Sequence, residues 1–424
     1  MRVFVKNLRN EPLMPTTPTK ARRLLKDGKA KVISRCPFVI KLTSATGEAK
    51  QELTLGIDTG SAKVGSAVVN EKNEVVYQSE IEIRNDITDK MKQRAKYRRN
   101  RRNRKTRYRQ ARWLNRANSI KNNRFSPTMT SKINSHLKEI KFVKSILPIT
   151  NITIETATFD SHLLKNPEVK GVEYQKGLNY GFANTKAYVL DRDGYVCQNC
   201  KAKNTTLHAH HIIYRSNGGS DDESNLITLC KDCHNKVHNG EIELKKIGKK
   251  KIQLKHSTQM NSIRKQLLKQ MPEAKETFGY ITKEHRYLLN LSKEHYNDAV
   301  AIACLNNIEK TGLLEVKTLN TVILKKSVSK GDYQLSKGVR SEQKIPTGKI
   351  KGFTKFDKVE YMGKEYFIKG RMSSGYCILM DIDGKKIDFT DAPKGMKTAK
   401  LSNCKRLTAR KSVITTIKRL ISPT

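Results

Sequence analysis

Residues 52–84 read ELTLGIDTGSAKVGSAVVNEKNEVVYQSEIEIR. Leu53, Leu55 and Ile57 alternate with Thr54, Gly56 and Asp58, the two-residue period of a strand with one buried face. Turns at Thr59–Gly60 and at Glu71–Asn73 divide the stretch into three consecutive strands. Asp58 ends the first strand against a glycine turn, where a carboxylate is well placed to hold a magnesium ion. A second apolar strand, NITIETATFD (151–160), carries Glu155, and in EHYNDAVAIACLNN (294–307) Asp298 opens an apolar helix with His295 three residues earlier on the same face. Three such carboxylates can hold two magnesium ions about 3.5–4 Å apart and so activate water for phosphodiester hydrolysis. GIDTG alone equally suits the first phosphate loop of a sugar kinase or an actin-like ATPase. No further glycine-rich phosphate loop is visible, however.

The charge argues in the same direction. The 424-residue chain carries 84 Lys+Arg against 40 Asp+Glu, a net charge of +44, with 37% hydrophobic residues. That excludes an ordinary metabolic enzyme and points to a polyanionic partner, because each neutralised phosphate releases a condensed counterion. No run of 18 apolar residues and no signal peptide is present, which predicts a soluble intracellular protein of two to four domains without membrane contact. The 35 residues from Lys90 to Arg124 hold sixteen Lys/Arg, no acid, no Pro and no Gly. They predict a basic helix that orders against phosphates, with Tyr97, Tyr108 and Trp113 available for stacking. Leu313–Thr424 carry 25 Lys/Arg and 10 Asp/Glu in short alternating strands, which predicts a small β-rich domain with a second nucleic-acid surface.

Eight cysteines in such a chain argue against a disulfide framework. Cys197-x-x-Cys200 and Cys230-x-x-Cys233 are separated by 29 residues, a spacing that closes a tetrahedron around structural zinc. The segment LHAHHIIYRSNGGSDDESNLITLCKDCHNKVH (207–238) adds His208, His210, His211, His234 and His238. His234 and His238 share a helical face, while His210 and His211 point to opposite sides of a strand. One of that pair can bind an ion while the other activates water. Asn225 is suited to pin the connecting loop, and His208 has no role in the pattern.

The order C-x-x-C, His-His, Asn, C-x-x-C-His, x3, His resembles the HNH (ββα-metal) nucleases. That resemblance implies His211 as general base, His210, His234 and His238 as magnesium ligands, and Asn225 as the residue orienting the base. The order Asp58, Glu155, Asp298 resembles the RuvC branch of the RNase H-like fold, with His295 assisting and magnesium held by the three acids.

Together with the basic helix and the tetrapeptide Pro12–Pro15 (Pro-Leu-Met-Pro), the layout resembles the IscB family, compact transposon-encoded relatives of the CRISPR type II effectors. The resemblance implies a multidomain α/β protein: an RNase H-like RuvC core interrupted by an Arg-rich bridge helix and a zinc-stapled ββα HNH module, with a small C-terminal β-rich domain. The expected boundaries are 1–50 (PLMP domain), 51–85, 127–180 and 251–312 (RuvC), 86–126 (bridge helix), 181–250 (HNH) and 313–424 (target-adjacent motif recognition). Arg94, Arg98, Arg99, Arg101, Arg102, Arg104, Arg107, Arg109, Arg112, Trp113 and Arg116 are the expected nucleic-acid contacts of the bridge. The implied partners are a structured guide RNA (omega RNA) and double-stranded target DNA, in a monomeric ribonucleoprotein of the prokaryotic cytoplasm that associates with the nucleoid when on DNA. HNH is expected to cut the guide-paired strand and RuvC the displaced one. The residues alone leave open a protein-guided HNH/RuvC endonuclease of homing or junction-resolving type, and a non-catalytic RNA-binding regulator.

Overall fold

The computed structural model describes residues 2–102, 125–157, 181–214, 221–244, 255–329, 333–335, 342–344, 349–389 and 397–420. The chain divides into two units, Met1–Thr158 with His256–Thr424, and Phe159–Lys255.

The first unit opens with β1 (Val3–Lys6), β2 (Pro12–Thr16), helix α1 (Pro18–Lys26), β3 (Ala30–Arg35) and β4 (Phe38–Leu42), whose strands form a sheet in the order β2-β1-β4-β3. Thr17 caps α1 by accepting from the Lys20 amide, and Pro18 stands in the first turn, where no amide donor is needed. Next come β5 (Leu53–Asp58), β6 (Lys63–Asn70), β7 (Val75–Glu82), α2 (Ile87–Arg102), α3 (Pro127–Ile146) and β8 (Asn151–Thr156). The three strands read from residues 52–84 are those found.

The second unit contains α4 (Thr185–Arg192), the antiparallel pair β9 (Leu207–His211) and β10 (Leu226–Cys230), and α5 (Lys231–His238). The chain then continues through α6 (Lys255–Gln270), β11 (Lys275–Phe278), α7 (Gly279–Leu288), α8 (His295–Thr311) and β12 (Thr321–Ser327). A ribbon of β13 (Tyr333–Leu335) and β14 (Glu342–Lys344) follows. The last strands are β15 (Lys358–Tyr361), β16 (Lys364–Arg371), β17 (Tyr376–Met380), β18 (Lys386–Ile387), β19 (Ala399–Lys400), β20 (Lys405–Thr408) and β21 (Val413–Arg419).

The central sheet runs β11-β8-β5-β6-β7-β12-β21, with β5, β6 and β7 antiparallel and β8 parallel to β5. On one face Leu53, Leu55 and Ile57 meet Ile133, Leu137 and Ile140 of α3 and Ile263 and Leu267 of α6. On the other, Ala67, Val69 and Val75 meet Ala299, Val300, Ala303 and Cys304 of α8. Burying that many apolar side chains at about 25 cal/mol per Å² is the principal force holding the three layers together. Glycine allows the α8 seam to close: a Cβ on Gly56 would lie 2.2 Å from the Ala299 carbonyl oxygen, and one on Gly65 1.9 Å from that of His295. Gly312, at φ 67°, ends the helix.

The core extends past residue 312, where the sequence reading ended it. β12 lies parallel to β7, and β21 lies antiparallel to β12, so residues 313–424 do not form one separate domain. Their strand pattern resembles that of the neighbouring strands, and periodicity does not say which sheet a strand joins. The remaining C-terminal strands form the β18-β17-β16-β15-β20 sheet, with β19 on β17.

Lys325 of β12 is buried against Glu139 of α3, with Nζ 2.7 and 2.8 Å from the two carboxylate oxygens. Tyr77, Ser66 and Ser79 donate to the same carboxylate. Burial would raise the Glu139 pKa, but the Lys325 charge holds it below the usual carboxylate value. Among the described residues no helix is long and apolar enough to cross a membrane.

Candidate functional site: an acidic centre and an imidazole centre

The alternation of β5 sends Thr54, Gly56 and Asp58 toward α8. Asp58 and Glu155 are register partners on adjacent parallel strands, so both carboxylates stand at the same level of the sheet. His295, the first residue of α8, places Nδ1 2.6 Å from Asp58 Oδ2. Asp298, one turn further, is buried and lies within electrostatic reach of both other acids. The three acids and the histidine therefore gather where β5 and β8 end and α8 begins.

The charges are unequal. Burial first, and then the Asp58 charge, pushes Glu155 up to about 7, against a hydrogen bond from Thr282 that lowers it. Burial also raises Asp58, opposed by its hydrogen bond to His295, and that bond in turn raises His295. Crowded acids that resist ionisation together are suited to divalent cations, which would supply the missing positive charge and polarise a water. Asp298 already has cationic neighbours, with Lys293 Nζ 2.5 Å from Oδ2 and the Arg286 Nε 2.9 Å from Oδ1. Neither cation was singled out by the sequence reading, because both belong to the approach to α8 and carry no motif.

In the second unit, β9, β10 and α5 form a ββα arrangement. The four sulfurs of Cys197, Cys200, Cys230 and Cys233 lie within 4.8 Å of one another, a set that fits zinc. Cys230 also caps α5 by accepting from the Cys233 amide, which couples the sulfur cluster to the helix carrying His234 and His238. Ring nitrogens of His210, His234 and His238 form a second cluster within 4.8 Å, and the buried His210 Nε2 has no hydrogen-bond partner. Burial first, then the neighbouring imidazoles, pushes His210 down to about 4, so its ring is neutral near pH 7 and its lone pair is available to an ion. These rings fit a metal ion that would polarise a scissile phosphate.

His211, on the opposite face of β9, places Nε2 2.8 Å from Asp221 Oδ1, an interaction missed from sequence. Asn225 is buried, accepts from the Ile213 amide and donates to the Ile213 carbonyl, each at 3.0 Å, and so pins the loop. Tyr214, also unforeseen, stacks on His238 with centroids 5.6 Å apart. His208, for which no role was read, lies 5.2 Å from the His234 ring.

Of the basic segment, α2 carries Arg94, Arg98 and Arg99 exposed, and Arg101 and Arg102 fall in its last turn. Arg104, Arg107, Arg109, Arg112, Trp113 and Arg116 lie outside the described residues.

The HNH endonuclease family matches residues 197–240, and the RRXRR protein family matches residues 3–177. Anaredoxin of Nostoc sp. strain PCC 7120 is 37% identical over 65 residues, which are 15% of this chain and 86% of the relative. Residues 197–240 thus carry an HNH endonuclease domain. The type IV methyl-directed restriction enzyme EcoKMcrA of Escherichia coli K12 is 34% identical over 61 residues, 12% of this chain and 22% of that one. The solved Cas9 of Streptococcus thermophilus in complex with the AGAA PAM is 11% identical, with a TM-score of 0.35, covering 59% of this chain and 32% of that one. The chain thus spans less than a quarter of the restriction enzyme and about a third of the Cas9 chain. Its HNH domain makes it a metal-dependent nuclease.

Proposed function

We propose that the chain is an RNA-guided DNA endonuclease of the IscB type, holding omega RNA and cutting both strands of a guide-matched duplex. The supporting observation is the gathering of Asp58, Glu155, His295 and Asp298 at one end of the central sheet, in a chain that also carries an HNH domain between β8 and α6. In this reading the acids form a RuvC centre that cuts the displaced strand, with Asp58, Glu155 and Asp298 holding magnesium. His211 is the HNH base acting on the guide-paired strand, oriented by Asn225, and Asp221 holds its ring. The arginines of residues 86–126 contact RNA, so base pairing reads sequence while the protein supplies charge. The complex is a monomeric ribonucleoprotein of the prokaryotic cytoplasm.

The imidazole donors change one expectation. Three ring nitrogens at His210, His234 and His238 suit zinc, nickel or another transition cation better than the magnesium that the family resemblance implies, whereas carboxylates suit magnesium.

The test is purification of the full chain from cells producing its RNA. Retention of a structured RNA through high salt, and cutting of a duplex matched to that RNA's variable end, are expected. RNA-free protein that cuts duplex unaided at a fixed sequence would replace this reading with a protein-guided endonuclease. Asp58→Ala should leave only the paired-strand cut, and His211→Ala only the displaced-strand cut.

A further inference from the structure

Helix α7 has two working faces. Gly279, Thr282 and Arg286 lie at helical spacing on the acids: a Cβ on Gly279 would be 3.3 Å from Glu155 Oε1, Thr282 bonds Glu155, and Arg286 contacts Asp298. One residue on in each case, Tyr280, Lys283 and Tyr287 repeat the same spacing on an adjacent face. Tyr280 is 71% and Tyr287 64% exposed, the two most exposed large hydrophobic side chains among the described residues. Their rings are held in place. Tyr280 lies parallel to Phe278, with centroids 6.3 Å apart and 3° between planes. Tyr287 carries the Arg286 guanidinium 4.9 Å above its ring and the Lys283 ammonium 6.0 Å away.

Two oriented aromatic faces separated by a lysine, beside three acids that process phosphodiesters, have a specific complement. A duplex shields its base faces inside the stack, and a folded protein partner would gain little from the intervening ammonium. A single strand offers both unstacked bases and phosphates. We propose that Tyr280, Lys283 and Tyr287 form a stacking rail that receives unpaired bases of a single DNA strand and leads its backbone to the acidic centre. The proposal rests on the reading of that centre as the site cutting a displaced strand. Tyr287 also ties the rail to the site, because the guanidinium it carries is the one on Asp298.

The experiment uses the full chain with Asp58→Ala, which keeps the strand uncut, and a single-stranded oligonucleotide containing 2-aminopurine, whose fluorescence falls when it stacks on an aromatic ring. Quenching is expected with the single strand and not with the same sequence as a duplex. Adding Tyr280→Ala should remove most of the quenching and weaken binding about 5- to 150-fold, while Tyr280→Phe retains both. Lys283→Ala should flatten the salt dependence of single-strand binding by about 0.7 in slope. Equal quenching with Tyr280→Ala, or none in the parent, overturns the rail, and a protein or membrane occupant of this face would give that result. Failure of the centre itself is read separately: if Asp58→Ala still cuts the displaced strand, the assignment of the acids falls while quenching at Tyr280 still reports on the rail.

Discussion

Asp58 and Glu155 stand opposite each other across the parallel β5–β8 pair, Asp58 as the last residue of its strand and Glu155 as the last but one of its own, and the Asp58 charge contributes, after burial, to holding Glu155 near 7. Two acids so placed ionise together with difficulty until a cation joins them. Glu155→Gln should therefore lower displaced-strand cutting by more than about 100-fold, since even outer partners of a metal site contribute 10- to 100-fold. Paired-strand cutting should stay within about twofold in a strand-labelled assay. Equal loss of both cuts would contradict independent centres.

The α8 seam sets a steric limit. At Gly56 a Cβ would meet the Ala299 oxygen at 2.2 Å and the Ala303 nitrogen at 2.6 Å, both backbone atoms that have nowhere to move. Gly56→Ala should cost about 3 kcal/mol or more, at the upper end of overpacking. Gly47→Ala, with no atom within 4 Å of its added Cβ, should be nearly neutral. Thermal unfolding of the two variants compares them directly.

His136 of α3 supplies a pH dependence. It is fully buried with Nδ1 2.9 Å from the Lys132 carbonyl oxygen, and burial first, with the Lys132 charge adding to it, pushes its pKa from 6.5 down to about 4. The unfolded chain therefore binds a proton between pH 6.5 and 4 that the folded chain refuses. Stability from this group is fully present above 6.5 and is lost as pH falls, by about 3 kcal/mol at pH 4. His136→Gln should flatten the slope of unfolding free energy over that window, and an unchanged slope would assign it to other groups.

Much of this was written locally in the chain. Asp58, the alternation around it, the paired cysteines and the i,i+4 histidines declare themselves through short spacings. What stayed hidden depends on partners far away in sequence. Arg286 and Lys293 on Asp298, Asp221 on His211, and the buried Lys325–Glu139 pair involve residue types that are ordinary surface groups unless the fold brings them inside. The membership of β12 and β21 in the core sheet was concealed for the same reason.

Cys200→Ser tests the sulfur cluster. With one thiolate gone the tetrahedron cannot close, and structural zinc contributes folding energy outright. The variant should lose one zinc per chain by elemental analysis and lose His211-dependent cutting, while Asp58-dependent cutting of a single strand persists. Full zinc content would show that three sulfurs suffice.

The buried pair should behave asymmetrically. Lys325→Met alone leaves Glu139 charged and desolvated and should cost about 3–5 kcal/mol, whereas adding Glu139→Leu should recover most of that. Denaturant unfolding of the single and double variants reads the difference, and additive losses would argue against direct coupling.

Asp58 and Asp298, which share one centre, are 240 residues apart in the chain. At about 5–20 residues per second of synthesis, the first waits about 12–48 s for the second. Phe159–Lys255 leaves the ribosome within that interval, so the unit with the four-cysteine cluster can finish folding while the acids still lack their last member. A chain released early, anywhere between residues 256 and 297, would carry the complete imidazole cluster and no means of completing the acidic one.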